Sequence, residues 1–342
     1  MFKKIVNDFK FDLILLIALA TGAVFIYSTY AWLSSSMDVT ISNFKMTADT
    51  TNGLYISLDG VEWTDSIKVD RDSMLNLLKD TYPGNKTQWT NGMTTVSSPG
   101  IRNNSSEYFD FFGLTETMYR PASYYKDDKF TFEKLNEDER RGNQRFVAFD
   151  VFFKNVTPSP YDDNIYFDEG TRVIDTNVED ENNVITQNAI RVGILFYDTV
   201  PLDSNVNTIQ NITCNGMCRD IIYEPNSRLH STRSIDYVHK YRIEIQNGEF
   251  YETYALKKEG KDIPVWTGIP MSGFPINTEY FQRQYTLTSG TSRLTNLPRG
   301  ITKARVYIWL EGQDIDILEA YSEGYKVAVT LNFRKDYASY DK

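Results

Sequence analysis

Residues 145–155 read RFVAFDVFFKN, and residues 189–198 read AIRVGILFYD. In each run apolar side chains occupy both odd and even positions, so an extended chain would be apolar on both faces. Both runs are short and rich in β-branched and aromatic residues, which favour strands over helices. They therefore predict two central strands of a sheet that is covered on both faces.

Two segments near the C-terminus predict further strands. Residues 301–314 (ITKARVYIWLEGQD) and 325–335 (YKVAVTLNFRK) alternate apolar with polar positions, which is typical of strands with one buried face. The simplest interpretation is a pair that closes the sheet. Helix signals are restricted to residues 73–80 and 132–141, which we expect to form short helices on the surface of the sheet.

Two hairpins are predicted from turn dipeptides between alternating segments. Residues 54–65 (LYISLDGVEWTD) turn at Asp59-Gly60, and residues 239–256 (HKYRIEIQNGEFYETYAL) turn at Asn247-Gly248. Asp-Gly and Asn-Gly pairs tolerate the positive φ angles that tight hairpin turns require.

The composition indicates a globular protein that does not bind nucleic acid. Hydrophobic residues make up 41% of the 342 positions and aromatic residues 14%, which is enough apolar surface for a core. The formal net charge is −10, so the chain repels phosphate backbones. With many predicted strands and few helices, we expect a mainly β fold, specifically a β-sandwich of jelly-roll type with long loop insertions.

An uncharged N-terminal run predicts export. Residues 13–37 read LILLIALATGAVFIYSTYAWLSSSM and follow Lys3, Lys4 and Lys10. A basic start, an apolar helix and small residues near its end are typical of a secretory signal peptide, here with cleavage between Ala31 and Trp32. The alternative is a permanent anchor, because about 20 apolar residues can span a bilayer. Either way, the expected location is the cell surface or the extracellular space.

This segment also sets the expected domain organisation. Residues 1–31 are the signal peptide or anchor, residues 32–48 are either a donor strand or the first strand of the domain, and residues 49–342 are the β-sandwich with its insertions. Before cleavage the N-terminal segment would contact the membrane.

No motif in the chain predicts catalysis. The two histidines, His230 and His239, do not form the HExxH pattern of zinc hydrolases, and no serine lies in a GxSxG turn. Glycine-containing stretches look like hairpin turns rather than phosphate-binding loops. We therefore expect a protein that is not an enzyme.

The two cysteines predict a local disulfide. Cys214 and Cys218 enclose a turn-prone Asn-Gly pair, and exported thiols at this spacing can meet in a small ring. Free thiols are the alternative. A ring this short restrains little chain entropy, so we expect a modest effect on stability.

An acidic segment after one predicted strand is a candidate calcium site. Glu311, Asp314 and Asp316 follow the strand of residues 301–310 and turn through Gly312. Calcium takes several oxygen ligands in flexible geometry, although this spacing does not match an EF-hand loop. Solvated surface charge is the alternative interpretation, and no other cofactor is expected.

Three consecutive segments resemble exported Gram-positive proteins of the TasA/camelysin kind. They are the export end STYAWLS at residues 28–34, the strand DVTISNFKM at 38–46 and the hairpin NGLYISLDG at 52–60. The export end, the hairpin and the later motif IWLEGQD at 308–314 also look like a group of firmicute surface proteins with a similar "TYAW" export end. The resemblance covers about a tenth of the chain and implies a jelly-roll subunit, cleavage at Ala31-Trp32, and assembly into extracellular matrix fibres.

In the fibre-forming relatives the N-terminal segment adds as a strand to a neighbouring subunit. By this resemblance, residues 32–48 would be the donor, with Val39, Ile41 and Met46 as the side chains that set the register. The alternative is that these residues form the domain's own first strand. Camelysin-like proteins have been classed as metallopeptidases, but the chain has no matching zinc motif, so that activity is not expected.

Two hypotheses on function follow. The first is a non-enzymatic surface or biofilm-matrix protein that associates with itself or with other surface proteins. The second is a membrane-anchored glycan-binding or adhesion module, in which tryptophan rings stack on sugars. The candidate rings are Trp63, Trp89, Trp266 and Trp309.

Overall fold

The computed structural model describes most of the chain after residue 39. The described residues are 17, 21, 40–70, 93–114, 129–135, 145–176, 186–216, 218–224, 254–264, 279–284, 287, 293–314 and 326–336. Apart from residues 17 and 21, the predicted signal peptide and its cleavage site lie outside this set, as do the helix predicted at 73–80, both histidines and residues 239–253 of the second hairpin. Among the described residues, no helix has the length and apolar character needed to cross a membrane.

The described chain is mainly β, as the strand patterns predict. Its strands are β1 (Thr40–Ala48), β2 (Leu54–Ser57), β3 (Ser66–Val69), β4 (Thr95–Gly100), β5 (Asp110–Leu114), β6 (Lys129–Leu135), β7 (Val147–Asn155), β8 (Asp163–Phe167), β9 (Arg172–Asp175), β10 (Ile190–Val200), β11 (Arg219–Tyr223), β12 (Tyr254–Leu256), β13 (Gly260–Pro264), β14 (Phe281–Arg283), β15 (Arg293–Leu297), β16 (Gly300–Glu311) and β17 (Lys326–Asp336). The helix α1 spans Val206–Gln210, and short 3-10 turns span Thr50–Asn52 and Thr186–Ala189.

The strands form two large sheets and one small sheet. Sheet I runs β15-β8-β17-β1-β3, with β9 also paired to β17. Sheet II runs β11-β10-β16-β4-β5-β6-β13, and β7 pairs with both β16 and β2. The small sheet consists of β12 and β14.

The two apolar runs form central strands of sheet II, which confirms that prediction. β16 lies between β10 and β7, so that Val306 pairs with Ile194 on one side and with Phe149 on the other. These three side chains are fully buried. Burial of each contributes about 1.5–3 kcal/mol relative to an exposed position.

Sheets I and II share one apolar core, which is consistent with a β-sandwich. Phe44 of β1 packs edge to face on Phe149 of β7, with ring centroids 4.9 Å apart. Phe333 of β17 meets Phe153 of β7 in the same geometry at 5.1 Å. Edge-to-face pairs add to the stabilisation that burial of the rings provides.

Three local predictions differ from the structure. β16 and β17 do not pair with each other, because β16 belongs to sheet II and β17 to sheet I. The predicted helix at 132–141 begins inside β6, where pairing with β5 and β13 outweighs local helix preference. The first hairpin closes only through a single bridge, in which Ile56 and Thr64 exchange two backbone hydrogen bonds of 2.9 Å.

Candidate functional site

The first described strand, β1, lies in the interior of sheet I. It pairs in parallel with β17, from Thr40 opposite Lys326 to Ala48 opposite Phe333, and antiparallel with β3. Both backbone edges of β1 are therefore hydrogen-bonded within the chain. In the described protein, residues 40–48 act as the domain's own strand, which is one of the two roles predicted for residues 32–48.

The apolar side chains of β1 all point into the core because the strand contains a bulge. Ile41, Phe44 and Met46 are buried, whereas Ser42 and Lys45 are exposed. In a regular strand Ile41 and Met46 would face opposite sides. The register shift between Ile41 and Asn43 inserts one residue and brings them to the same side. Two of the three predicted register-setting residues thus anchor β1, and Val39 lies outside the described residues.

Polar contacts fix the C-terminal end of β1. Thr47 Oγ1 donates to Asn332 Oδ1 of β17 at 2.7 Å, and Asn332 Nδ2 donates to the Glu169 carbonyl at 2.7 Å. The link to β2 then turns at Gly53, which has φ of +77°. A Cβ at this position would lie 2.4 Å from the Val156 carbonyl oxygen. The link between the two sheets is therefore a tight turn that suits glycine.

A second feature is a buried charged cluster centred on Arg191 of β10. Its Nη2 forms an ion pair with Glu224 Oε1 at 3.0 Å and a close one with Asp314 Oδ2. Its Nη1 donates to the Asn188 carbonyl at 2.8 Å, and its Nε donates to Gln284 Oε1 at 3.2 Å. All of these residues are buried, so the cluster links β10 to the ends of β11, β14 and β16 without contact with water.

Glu311 extends this cluster into sheet II. Its Oε2 accepts hydrogen bonds from Trp309 Nε1 at 3.0 Å, from Gln284 Nε2 at 3.0 Å and from the Ser98 backbone at 3.3 Å. Burial raises the pKa of Glu311, and the Trp309 hydrogen bond and the charge of Arg191 oppose that rise only in part. Burial alone would lower the pKa of Arg191, yet the neighbouring carboxylates, Glu224 foremost, hold it above its ordinary value.

The described residues of the candidate calcium segment are buried and do not face solvent. Glu311 and Asp314 are buried and bind protein donors, and Asp316 lies outside the described residues. No group of three or more His, Cys, Asp or Glu side chains among the described residues could hold a metal ion. The interpretation as solvated surface charge is wrong for Glu311 and Asp314, and calcium binding at the whole segment stays a prediction.

Sequence reasoning missed the centre of this cluster. Arg191 lies inside the apolar run of residues 189–198, and a charge within a strand that is covered on both faces must find a partner. This conflict between a charged residue and its apolar surroundings was the sequence signal that pointed to a buried ion pair. It does not identify Glu224 or Gln284, which are distant in sequence and meet Arg191 only in the folded chain.

A cleft of about 560 Å³ opens where β10 bulges beside the turn between β15 and β16. Its lining is part apolar and part polar, and the polar part includes Thr199, Thr302, Asn211, Asn215, Asn296 and Asp198. Volumes of this size suit small ligands, and such groups hydrogen-bond to polyhydroxylated molecules.

The cysteine loop borders this cleft. Cys214 and Cys218 are joined by a disulfide with Cα atoms 5.3 Å apart. Asn215 donates its backbone N–H to Asp198 Oδ2 at 2.9 Å, and Cys218 donates to the Asn104 carbonyl at 3.0 Å. The loop is therefore held to the end of β10.

Of the candidate stacking tryptophans, the structure describes Trp63 and Trp309. Trp309 is fully buried and donates to Glu311, so it cannot stack on an external sugar. Trp63 is half-buried, with the Lys154 amine 5.3 Å from its ring centroid. Trp89 and Trp266 lie outside the described residues.

Comparison with known proteins adds no family to these observations. No family model matches the chain, and no curated protein or solved structure matches it. The resemblance to TasA/camelysin-like proteins therefore stays a prediction that rests on the motifs alone.

Proposed function

We propose that this chain is an exported, non-enzymatic structural protein of a Gram-positive cell surface or biofilm matrix, which assembles by exchanging β1 between copies. The observation that carries the proposal is the position of β1. It is the first described strand, yet it lies between β17 and the edge strand β3 of sheet I. The N-terminal export signal and the resemblance to matrix proteins support the surface location.

The energetics of β1 favour exchange over simple detachment. Removal of β1 would expose the edges of β17 and β3 and the core beneath Phe44 and Met46. A β1 from a second copy would restore the same hydrogen bonds and the same buried side chains, so the closed and exchanged forms differ mainly in the link to β2. If each copy gives β1 to the next copy rather than back to the same partner, the contact is head-to-tail and extends into a fibre where its rotation does not close a ring.

A designed disulfide can distinguish the closed form from the exchanged form. Thr47 and Asn332 are register neighbours in the β1–β17 pair, with their side chains in contact. In the double variant Thr47→Cys and Asn332→Cys, oxidation of a closed monomer gives an internal bridge, whereas oxidation of exchanged copies gives covalent oligomers. After partial unfolding and refolding, we expect a ladder on a non-reducing gel whose yield rises with protein concentration.

The single variants Thr47→Cys and Asn332→Cys are the controls, since neither can form a chain of bridged copies. A double variant that yields only bridged monomer at every concentration would contradict assembly through β1. Such a result would leave β1 as an ordinary internal strand.

Two structural points complete the proposal. Sheets I and II, with their shared core, form a jelly-roll β-sandwich with long insertions. The hydrophobic N-terminal segment serves for export, with cleavage between Ala31 and Trp32 or retention as an anchor.

Glycan binding in the cleft beside β10 is a second candidate function. The threonine and asparagine groups of its lining are donors and acceptors that can pair with sugar hydroxyls. Titration with an N-acetylglucosamine oligosaccharide, followed by NMR, should shift the resonances of the lining residues. Asn296→Ala should weaken binding about three- to tenfold through the loss of a side-chain hydrogen bond.

Lys68→Ala, an exposed change on β3, is the matched control and should leave the affinity unchanged. Resonances that do not move at millimolar sugar would exclude the cleft as a glycan site.

A further inference from the structure

Three polar side chains meet in the core between the two large sheets. Lys335 Nζ lies 3.0 Å from Asn155 Oδ1 and 3.2 Å from Asp163 Oδ2. Asn155 Nδ2 donates to the same Asp163 oxygen at 3.1 Å. All three residues have a relative exposure of 0%, so an amine, a carboxamide and a carboxylic group form a closed triad without access to water.

The three side chains come from three different strands. Lys335 is on β17 and Asp163 begins β8, both in sheet I, whereas Asn155 ends β7 in sheet II. Residues two positions apart share a strand face, and the neighbours of the triad on those faces are Phe333 and Phe153, which pack edge to face. The triad is therefore surrounded by aromatic core that excludes water.

The contacts orient the Asn155 amide for attack by the amine. Its Nδ2 is held by Asp163 and by the Leu297 carbonyl at 3.0 Å, while its Oδ1 accepts from Lys335. Since Oδ1 is bonded to Cγ, the 3.0 Å contact also places the Lys335 amine close to the carbon that it would attack. We propose that Lys335 and Asn155 join in an intramolecular isopeptide bond that cross-links the two sheets, with Asp163 as the proton carrier.

The reaction balances without any further reactant. A proton passes from the Lys335 ammonium to Asp163, and the lone pair of the neutral amine attacks Asn155 Cγ to form the new C–N bond. Asp163 donates its proton to Nδ2 and takes one from Nζ as the Cγ–Nδ2 bond breaks. The products are one secondary amide and one molecule of ammonia, and no group is oxidised or reduced.

The buried setting drives this chemistry in two ways. Strands fix the amine beside the amide, which replaces an encounter in solution by a reaction within one molecule. Burial penalises the separated charges of Lys335 and Asp163, since neither is hydrated. In the described part of the chain Asp163 Oδ1 is buried and accepts no hydrogen bond, so this oxygen is open to receive the proton that the reaction moves.

A second buried lysine offers a structural comparison. Lys303 Nζ lies 3.2 Å from Asp150 Oδ2, the same amine-to-carboxylate distance as in the triad. It also donates a hydrogen bond to the backbone carbonyl of Gln210 at 3.4 Å, and that peptide group has no primary amide nitrogen that can leave as ammonia. Lys303 therefore serves as an internal control for the effect of burial beside an aspartate.

Peptide mapping of the folded full chain tests the bond. Trypsin cannot cleave after a lysine whose amine is acylated, so the digest should contain a branched peptide in which residues 155–172 are joined to residues 335–342. Its mass should be that of the two peptides less one ammonia. Asn-Gly sites such as Asn215-Gly216 can also lose ammonia through a cyclic imide, and fragmentation of the branched peptide separates the two reactions.

Single variants test the role of each residue in forming the bond. Lys335→Arg should abolish the branched peptide, Asp163→Asn should reduce its yield at least tenfold within the same time, and Lys303→Arg should leave it unchanged. Separate linear peptides from the folded wild-type protein, with normal cleavage after Lys335, would overturn the proposal even if the variants fail to fold. A full yield of branched peptide from Asp163→Asn would overturn the role of Asp163.

Discussion

Replacement of Arg191 by methionine should lower the free energy of unfolding by about 3–5 kcal/mol at neutral pH. The side chain is fully buried and neutralises Glu224, Asp314 and, through space, Glu311. Methionine fills a similar volume, so the loss comes from carboxylates left without a counter-charge rather than from a cavity. Urea unfolding of the wild-type and variant proteins measures the difference.

The pH dependence of this loss identifies its electrostatic origin. Burial already raises the pKa of Glu311, and a carboxyl with a raised pKa in the folded state favours folding below its unfolded pKa and loses that contribution as the pH rises. Without Arg191, the penalty should therefore be larger at about pH 8 than at about pH 5. A penalty independent of pH would indicate lost packing instead.

The exposed pair of Lys258 with Glu279 is the matched control. Its atoms are also close, with Lys258 Nζ 2.9 Å from Glu279 Oε1, but both side chains are more than half exposed. Lys258→Met should therefore leave the unfolding transition unchanged, because water screens such pairs.

The second large effect should come from β1. Phe44→Ala should cost about 3–5 kcal/mol, because the ring is fully buried and its removal leaves a cavity against Phe149. Lys45→Ala, one position along the same strand but exposed, should change the free energy by less than about 0.5 kcal/mol. Thermal unfolding by circular dichroism distinguishes these cases.

Equal effects of Phe44→Ala and Lys45→Ala would mean that β1 does not bury its apolar face in solution. If β1 exchanges between copies, Phe44→Ala should also lower the yield of covalent oligomers in the Thr47→Cys and Asn332→Cys background, because an incoming strand would gain less from the core.

Sequence patterns predicted which segments form strands better than they predicted which strands pair with each other. The apolar runs containing Phe149 and Ile194 are central strands because their β propensity and two-sided burial agree with the final sheet. Alternation in β16 and β17 indicates two strands but carries no information about which edge each one meets. Their assignment to different sheets therefore had to come from the structure.

The polar clusters show why the candidate sites were harder to predict. The mixed spacing of Ile41 and Met46 already conflicted with a regular strand, and a bulge resolves it. Lys335 ends a strand-like alternation, and nothing in that pattern indicates that its side chain is buried. Its burial depends on Asn155 and Asp163, which β7 and β8 bring to it from opposite sheets, and no local pattern encodes that meeting.

The parallel pairing of β1 with β17 also dictates an order of events during biogenesis. A chain that emerges N-terminus first presents β1 long before β17, since partners such as Thr47 and Asn332 are 285 positions apart. Contacts of this range form late and slow folding. In that interval β1 can pair with β3 on one edge only, so its other edge is open to a neighbouring chain. We therefore expect the synthesis rate and the local crowding of nascent chains to influence whether copies join, before the finished fold exists.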